Sequence, residues 1–317
     1  ESNNANDFLT GVSNNFTGFK ADHRKYSIQF NGLGLSLKSN HKVVLKNVTG
    51  EFFHSQLIAI MGPSGCGKST FLNTLSGRAY YGHKKGVMQI NHKDDTLLNH
   101  RKSVGFVPQE DTVFDMLTVY ENLMYSCELR LLGSTKSKRK RIVEDVIHLL
   151  ELEKIRHSVV GSVEKRGISG GQRKRVNIGM ELVADPSIIF LDEPTSGLDS
   201  ASASVVLSAL KDLTHLGITI IAVIHQPKYS IFELFDQLLL LGTGGETVFC
   251  GPVSYVKDYF ASLDFKMREE NANLADFIID VCAGIIPREN HPSYLPSDLP
   301  KLWEKRGVEV VKEHQDH

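Results

Sequence analysis

No stretch of this 317-residue chain approaches the ~18–20 consecutive apolar residues that a membrane-crossing helix needs. The longest apolar runs, 218–224 and 238–241, are strand-sized. Cysteine is sparse: Cys66, Cys127, Cys250 and Cys282 lie far apart with no C-x-x-C pair. That argues against a disulfide framework and fits a reducing, cytosolic setting. Charge of one sign is lacking too. Lys and Arg number 36 against 37 Asp and Glu, for a formal net charge of −1, so no global field draws in nucleic acid or anionic lipid. No nucleic-acid partner is expected. There is no signal peptide and no internal repeat, and position 1 is Glu rather than Met. The chain therefore reads as processed or, preferably, as cut from something longer. What is present, 41% hydrophobic and 23% charged residues, is ordinary globular composition, enough for one large domain or two lobes.

The chain is organised around residues 57–76, LIAIMGPSGCGKSTFLNTLS. The apolar run 57–61 predicts a buried strand. It breaks at Gly62-Pro63-Ser64-Gly65-Cys66-Gly67-Lys68-Ser69-Thr70, which fits G-x-x-x-x-G-K-[ST] without a mismatch. A helical pattern follows from Thr70 and stops at Gly77. Three glycines let the backbone curl and aim its N–H groups at phosphate oxygens. The helix start adds partial positive charge. Lys68 can reach the β- and γ-phosphates, and Ser69 can offer its hydroxyl to Mg²⁺. A chance glycine-rich turn would lack this strand and helix on either side, so the stretch is a nucleotide site.

Residues 1–25, rich in Asn, Ser, Gly and Asp, are expected to be disordered. Two glycosylation patterns, Asn15-Phe16-Thr17 and Asn47-Val48-Thr49, are coincidental in a cytosolic setting. Between 26 and 53, alternating runs punctuated by Gly32, Asn40 and Gly50 predict short strands, joined by another at 87–90. These form a small, mainly antiparallel lobe. Residues 111–165 turn helical; in 138–153, Ile142, Val146, Leu149 and Leu150 share one face. The run KSKRKR (136–141) could be a nuclear signal or nucleic-acid patch, but a solvated helix start is favoured. A helix from about Gln172, a buried strand at 187–191, a helix at about 201–216 and a strand at 218–224 follow. Then Gly244-Gly245 turns a hairpin. Strands alternating with helices imply an α/β fold with a mainly parallel sheet. Beyond Gly284, four prolines in a polar setting predict a linker over 287–317.

Two further stretches carry chemistry. Residues 187–193, SIIFLDE, run an apolar strand into Asp192, the carboxylate that partners Mg²⁺ in phosphate-loop NTPases. Glu193 then stands where it can polarise an attacking water. Two adjacent carboxylates in a dry site need the cation that Mg²⁺ supplies. At 168–173, ISGGQR places a serine and two glycines at a helix start, a second anion-binding end. A lone S-G-G is weak; between a phosphate loop and a D-E strand it is strong.

Taken in order, GPSGCGKST, Gln109 in FVPQED, ISGGQRKR, IIFLDEPTSGLD and His225 in VIHQP resemble the ATP-binding cassette (ABC) family. LTVYENL (117–123), RGISGGQRKR (166–175), VIHQP and GPVSYVKDYF (251–260) are similar to its subfamily G, whose half-transporters place this domain ahead of the membrane domain. The likeness covers about 28–286. It implies a P-loop NTPase of ABC type, with a mixed, mainly parallel sheet core, an antiparallel β lobe and a helical signature subdomain at about 111–184, all within 26–286. It implies ATP and Mg²⁺ as ligands. It also implies a second nucleotide-binding domain, in a homo- or heterodimer, that sandwiches two ATP head to tail. Each site would pair one protomer's Lys68 loop with the other's Ser169-Gly170-Gly171-Gln172. By the same likeness Glu193 is the general base and Gln109 contacts Mg²⁺ or the water. His225 holds the γ-phosphate, and Asp199 in SGLD crosses the seam. The chain is then expected to be a soluble piece on the cytoplasmic face of a membrane, linked by 287–317 to an absent transmembrane domain. The family usually stacks adenine on an aromatic residue of an early strand; here Leu35 takes that place, so affinity is expected to rest on the phosphates. A soluble ABC ATPase of translation or DNA maintenance is the alternative, supported only by KSKRKR.

Overall fold

A computed structural model describes residues 18–19, 23–162, 167–267, 273–289 and 294–307. Most of the 1–25 segment expected to be disordered, the Asn15-Phe16-Thr17 pattern, Arg166 of RGISGGQRKR, and 290–293 and 308–317 of the expected linker lie outside them.

In chain order the strands and helices begin with β1 (Ile28–Leu37), β2 (Val43–Phe52), β3 (Leu57–Met61), α1 (Lys68–Leu75), β4 (Gly82–Ile90) and β5 (Lys93–Asp94). Then come β6 (Val104–Val107), α2 (Val119–Arg130), α3 (Lys136–Leu149), α4 (Gly170–Leu182), β7 (Ile188–Asp192), α5 (Ser200–His215) and β8 (Thr219–Val223). The chain ends with α6 (Tyr229–Phe232), β9 (Gln237–Leu241), β10 (Thr247–Pro252), α7 (Val256–Ser262), α8 (Leu274–Ala283) and α9 (Leu299–Leu302). Two compact units result. One holds 101–220 with the described residues before Tyr26; the other holds 26–100 and the chain from Ile221 on.

In the second unit, β2-β1-β4-β5 form the antiparallel lobe. Here Gly32, which reads as a strand break, and Gly86, just before the strand expected at 87–90, are bulges inside longer strands. Gly32 (φ 61) and Gly86 (φ 85) face each other, and a Cβ on Gly86 would strike the Gly32 carbonyl. The β1–β4 register shifts between Asn31 and Gly34. Below the lobe, β3 runs parallel to β9, and β9 pairs antiparallel with β10 across Gly244 and Gly245. Every residue of β3 and β9 is buried, as strands covered on both faces must be. The Thr247 hydroxyl ties β10 to β2, accepting from Thr49 N at 2.9 Å and donating to Thr49 O at 3.0 Å. Within the stretch read as a linker, Leu299 and Trp303 are buried; the Trp303 ring lies 5.4 Å from both Phe249 and Tyr259.

In the first unit β6 and β7 pair in parallel, with Val107 opposite Leu191. Helix α2 starts in a capping box between Thr118 and Glu121. KSKRKR opens α3, with Lys136, Lys140 and Arg141 exposed while Ile142, Val143, Val146 and Ile147 face inward. Gly179 lets α4 approach closely, since a Cβ there would lie 2.8 Å from Leu123 and 3.1 Å from Val146 and Leu150.

Candidate functional site

The phosphate loop leaves the carboxyl end of β3. Gly62 has no room for a side chain, because a Cβ would meet the Leu241 carbonyl and the Cys66 sulfur. Gly65 (φ 76) and Gly67 (φ 100) take left-handed conformations, and nothing lies within 4 Å of a Cβ on Gly65. Gly67 is the N-cap of α1 and offers no side-chain cap. Lys68 is buried, its ammonium donating to the Gly62 carbonyl at 2.9 Å and the Pro63 carbonyl at 3.0 Å. A buried cation held by two neutral acceptors over an uncapped helix start is matched by an anion such as a triphosphate, so these residues fit ATP. Ser64 and Gly65 are exposed and Pro63, Ser69 and Thr70 half-exposed. Burial pushes the Cys66 thiol up, against the pull of Lys68, which keeps this loop cysteine a neutral packing group.

His225 belongs to the same unit. Ile224 N donates to Ile60 O at 3.1 Å, so β8 and β3 end side by side and His225 emerges exposed where the phosphate loop begins. The next residue, Gln226, has φ 43.

The first unit carries the remaining candidates. Gln109 and Glu193 each lie two residues beyond the paired Val107 and Leu191. The Gln109 amide Nε2 donates to Glu193 Oε2 at 3.0 Å. Glu193 sits at φ 50, a left-handed conformation of the kind concentrated at functional sites, and Asp192 before it is buried. Ser169 caps α4, accepting from Gln172 N at 3.3 Å, while Gln172 Oε1 accepts from Ser169 N at 2.9 Å. Ser169 and Gly170 are exposed. Asp199 caps α5, with Oδ1 accepting from Ala201 N and Ser202 N at 3.0 Å and Oδ2 from the Ser202 hydroxyl at 2.7 Å. Those bonds, the Ser202 N–H foremost, hold its carboxyl below the usual range. A Cβ on Gly171 would lie 3.1 Å from that same Ser202 hydroxyl, so the starts of α4 and α5 adjoin.

Sequence reasoning missed Lys174. This buried ammonium donates at 2.7 Å to the Gln109 carbonyl and at 2.7 Å to Asp111. Asn177, one turn on, accepts from Thr112 N at 3.3 Å. Helix α4 therefore grips the segment that carries Gln109. Its neighbours Arg173, bound to Asp115 and the Gly161 carbonyl, and Arg175, bound to the Leu150 carbonyl, point elsewhere. Leu35 does not meet a base: it is 1% exposed and its side chain fills the space over Gly82.

A family model described as "ABC transporter" matches residues 45–196, and one described as "ABC-2 type transporter" matches 225–316. The chain is 45% identical over 290 residues to ABC transporter G family member 25 of Oryza sativa subsp. japonica, covering 91% of this chain and 29% of that protein. It is 43% identical over 277 residues to ABC transporter G family member 28 of Arabidopsis thaliana (87% and 25%). It is 44% identical over 263 residues to the Broad substrate specificity ATP-binding cassette transporter ABCG2 of Rattus norvegicus (83% and 39%). The chain thus spans well under half the length of each. The second match overturns the expectation of a soluble chain lying beside the membrane machinery, because 225–316 is itself matched by a membrane-transporter family. That expectation rested on hydropathy, and no helix among the described residues is long and apolar enough to cross a membrane. With its ordered nucleotide motifs and both matches, the chain belongs to the ATP-binding cassette transporter family, subfamily G, a family of ATPases coupled to transport.

Proposed function

We propose that this chain binds and hydrolyses Mg·ATP for a subfamily G transporter, as one half of a head-to-tail nucleotide sandwich. The observation that carries the reading is the bond from Gln109 Nε2 to Glu193 Oε2 at 3.0 Å. It brings a sensing amide onto a carboxylate at the end of an apolar strand, where a general base is needed. Lys68 and the N–H groups of 64–70 hold the β- and γ-phosphates. Ser69, Asp192 and Gln109 would hold Mg²⁺, a set of oxygen donors with a single carboxylate. The ion, when bound, neutralises phosphate charge. Glu193 takes the proton of the attacking water once Gln109 releases it, and His225 steadies the γ-phosphate. Ser169 and Gly170, exposed, and the half-exposed Gly171 after them, capped by Gln172, receive the γ-phosphate held on the second domain, and Asp199 meets the seam. Closing and opening of that sandwich drives the membrane domain.

Glu193→Gln tests the assignment. It removes the base and keeps the volume, so ATP binding should persist while single-turnover hydrolysis falls by roughly 10²–10⁴-fold. Hydrolysis at the unaltered rate would show that another group is the base.

A further inference from the structure

A cavity of about 530 Å³ opens in the second unit, away from the phosphate loop. Gln237 on its wall pairs in register with Ile58, at the amino end of β3, whereas the loop leaves the carboxyl end at Met61. Its volume lies in the ~300–1,000 Å³ range of small-molecule sites. Much of the wall is apolar: Phe30, Phe53, Val87, Pro252 and Trp303. Trp303 is braced from behind by Phe249 and Tyr259.

The polar lining is one-sided. Glu51 is the only charged residue among the described residues that line the cavity, and no described cation pairs with its carboxylate. Burial pushes the Cys250 thiol, on the same wall, up to about 12, and the nearby Glu51 carboxylate adds to that push. Two of the amides around it are already engaged, while Gln29 stands opposite Glu51 in the strand register. Gln237 Oε1 accepts from Phe53 N at 3.1 Å and its Nε2 donates to the Glu51 carbonyl at 3.4 Å. Gln89 donates to Asp94 at 2.8 Å.

We propose that this cavity binds a small organic cation, a protonated or quaternary amine with an aromatic or alkyl body. The body packs on Phe30, Phe53, Val87 and Trp303, and the cationic nitrogen faces Glu51. An anion would meet an uncompensated carboxylate in a partly dry site, and a neutral guest would desolvate that carboxylate without pairing it. A cation satisfies it, and an aromatic wall adds attraction of its own. A concave pocket of this volume suits a molecule better than a protein surface, which is generally flatter and larger.

Trp303 is the single tryptophan of the chain, so its emission reports on this cavity alone. The 317-residue chain is titrated with benzyltriethylammonium, its all-carbon neutral isostere and benzylsulfonate. The cation should change Trp303 emission saturably, the isostere should bind about tenfold more weakly or worse, and the sulfonate should give no saturable change. Glu51→Gln should weaken the cation about tenfold and leave the isostere unchanged. Glu246→Gln, whose carboxylate faces Lys46 at 3.6 Å outside the cavity, should alter neither, and ATP binding should be the same in all three proteins. Equal binding of cation and isostere, or an unaffected Glu51→Gln, overturns the proposal. So does the absence of any saturable response, which would mean that protein fills the cavity in solution.

Discussion

Helices α1 and α4 both begin where the chemistry calls for a phosphate, and they begin in opposite ways. The start of α1 is open: Gly67 provides no side-chain cap, and the Lys68 ammonium is folded back onto carbonyls of its own loop. The start of α4 is closed by a reciprocal capping box between Ser169 and Gln172. An open start over a buried cation favours an anion, so it is suited to be occupied. A closed start stands alone, leaving the Gly170 and Gly171 N–H groups to meet a phosphate that arrives and departs. On the proposed function, the difference would sort the two ends into a resident nucleotide site and a visiting surface, the division of labour that a sandwich of two domains requires.

The largest effect breaks the open side. Lys68→Met removes the one cation buried in the loop, and ATP affinity measured by calorimetry should fall by ~10²-fold or more. Next comes the link between the signature helix and the Gln109 segment. Lys174→Met takes the donor from the Gln109 carbonyl and leaves Asp111 with only the Asn177 amide at 3.3 Å, and should cost about 2 kcal/mol in denaturant unfolding. Turnover should drop about tenfold, and ATP affinity measured without Mg²⁺ should stay unchanged, because a misplaced Gln109 affects the metal and the water rather than the Lys68 loop. On the closed side, Ser169→Ala should lower stability by about 1 kcal/mol. It should leave ATP binding to a single chain intact and depress hydrolysis only in the assembled transporter; weakened binding in the single chain would erase the contrast between the two starts. The smallest effect concerns the neighbouring cap. The folded-state pKa of Asp199 lies below its unfolded value. Its capping contribution is therefore fully present above the ordinary carboxylate pKa of about 4 and is lost as pH falls through the folded value. Asp199→Asn should remove that part of the acid-induced loss of α5, read by comparing acid melting of the two proteins.

What could be read in advance was what local chemistry dictates. Only glycine fits against the Leu241 carbonyl at Gly62, and an apolar run ending in Asp192 and Glu193 has few uses other than a buried strand feeding a cation site. Pairing across strands was not legible. Gly32 looked like punctuation because its partner Gly86 is remote in sequence, and only their apposition makes a bulge. The bulge also reverses the side-chain alternation of β1: Ile28 and Phe30 are buried before it, Leu33 and Leu35 after it. Leu35 is thereby turned into the core and away from any base. Lys174 was hidden in a run of three cations, since their ~100° spacing on a helix sends each to a different neighbour without marking which one is buried.

The central claim is a triphosphate gripped by the open helix start of one molecule and the closed start of another. Its most direct test is the structure of the intact transporter carrying Glu193→Gln with Mg·ATP bound. The account predicts Ser169, Gly170 and Gly171 of one copy within hydrogen-bonding reach of the γ-phosphate that Lys68 of the second domain holds. Nucleotide seated on every Lys68 loop with those three residues facing solvent would contradict it.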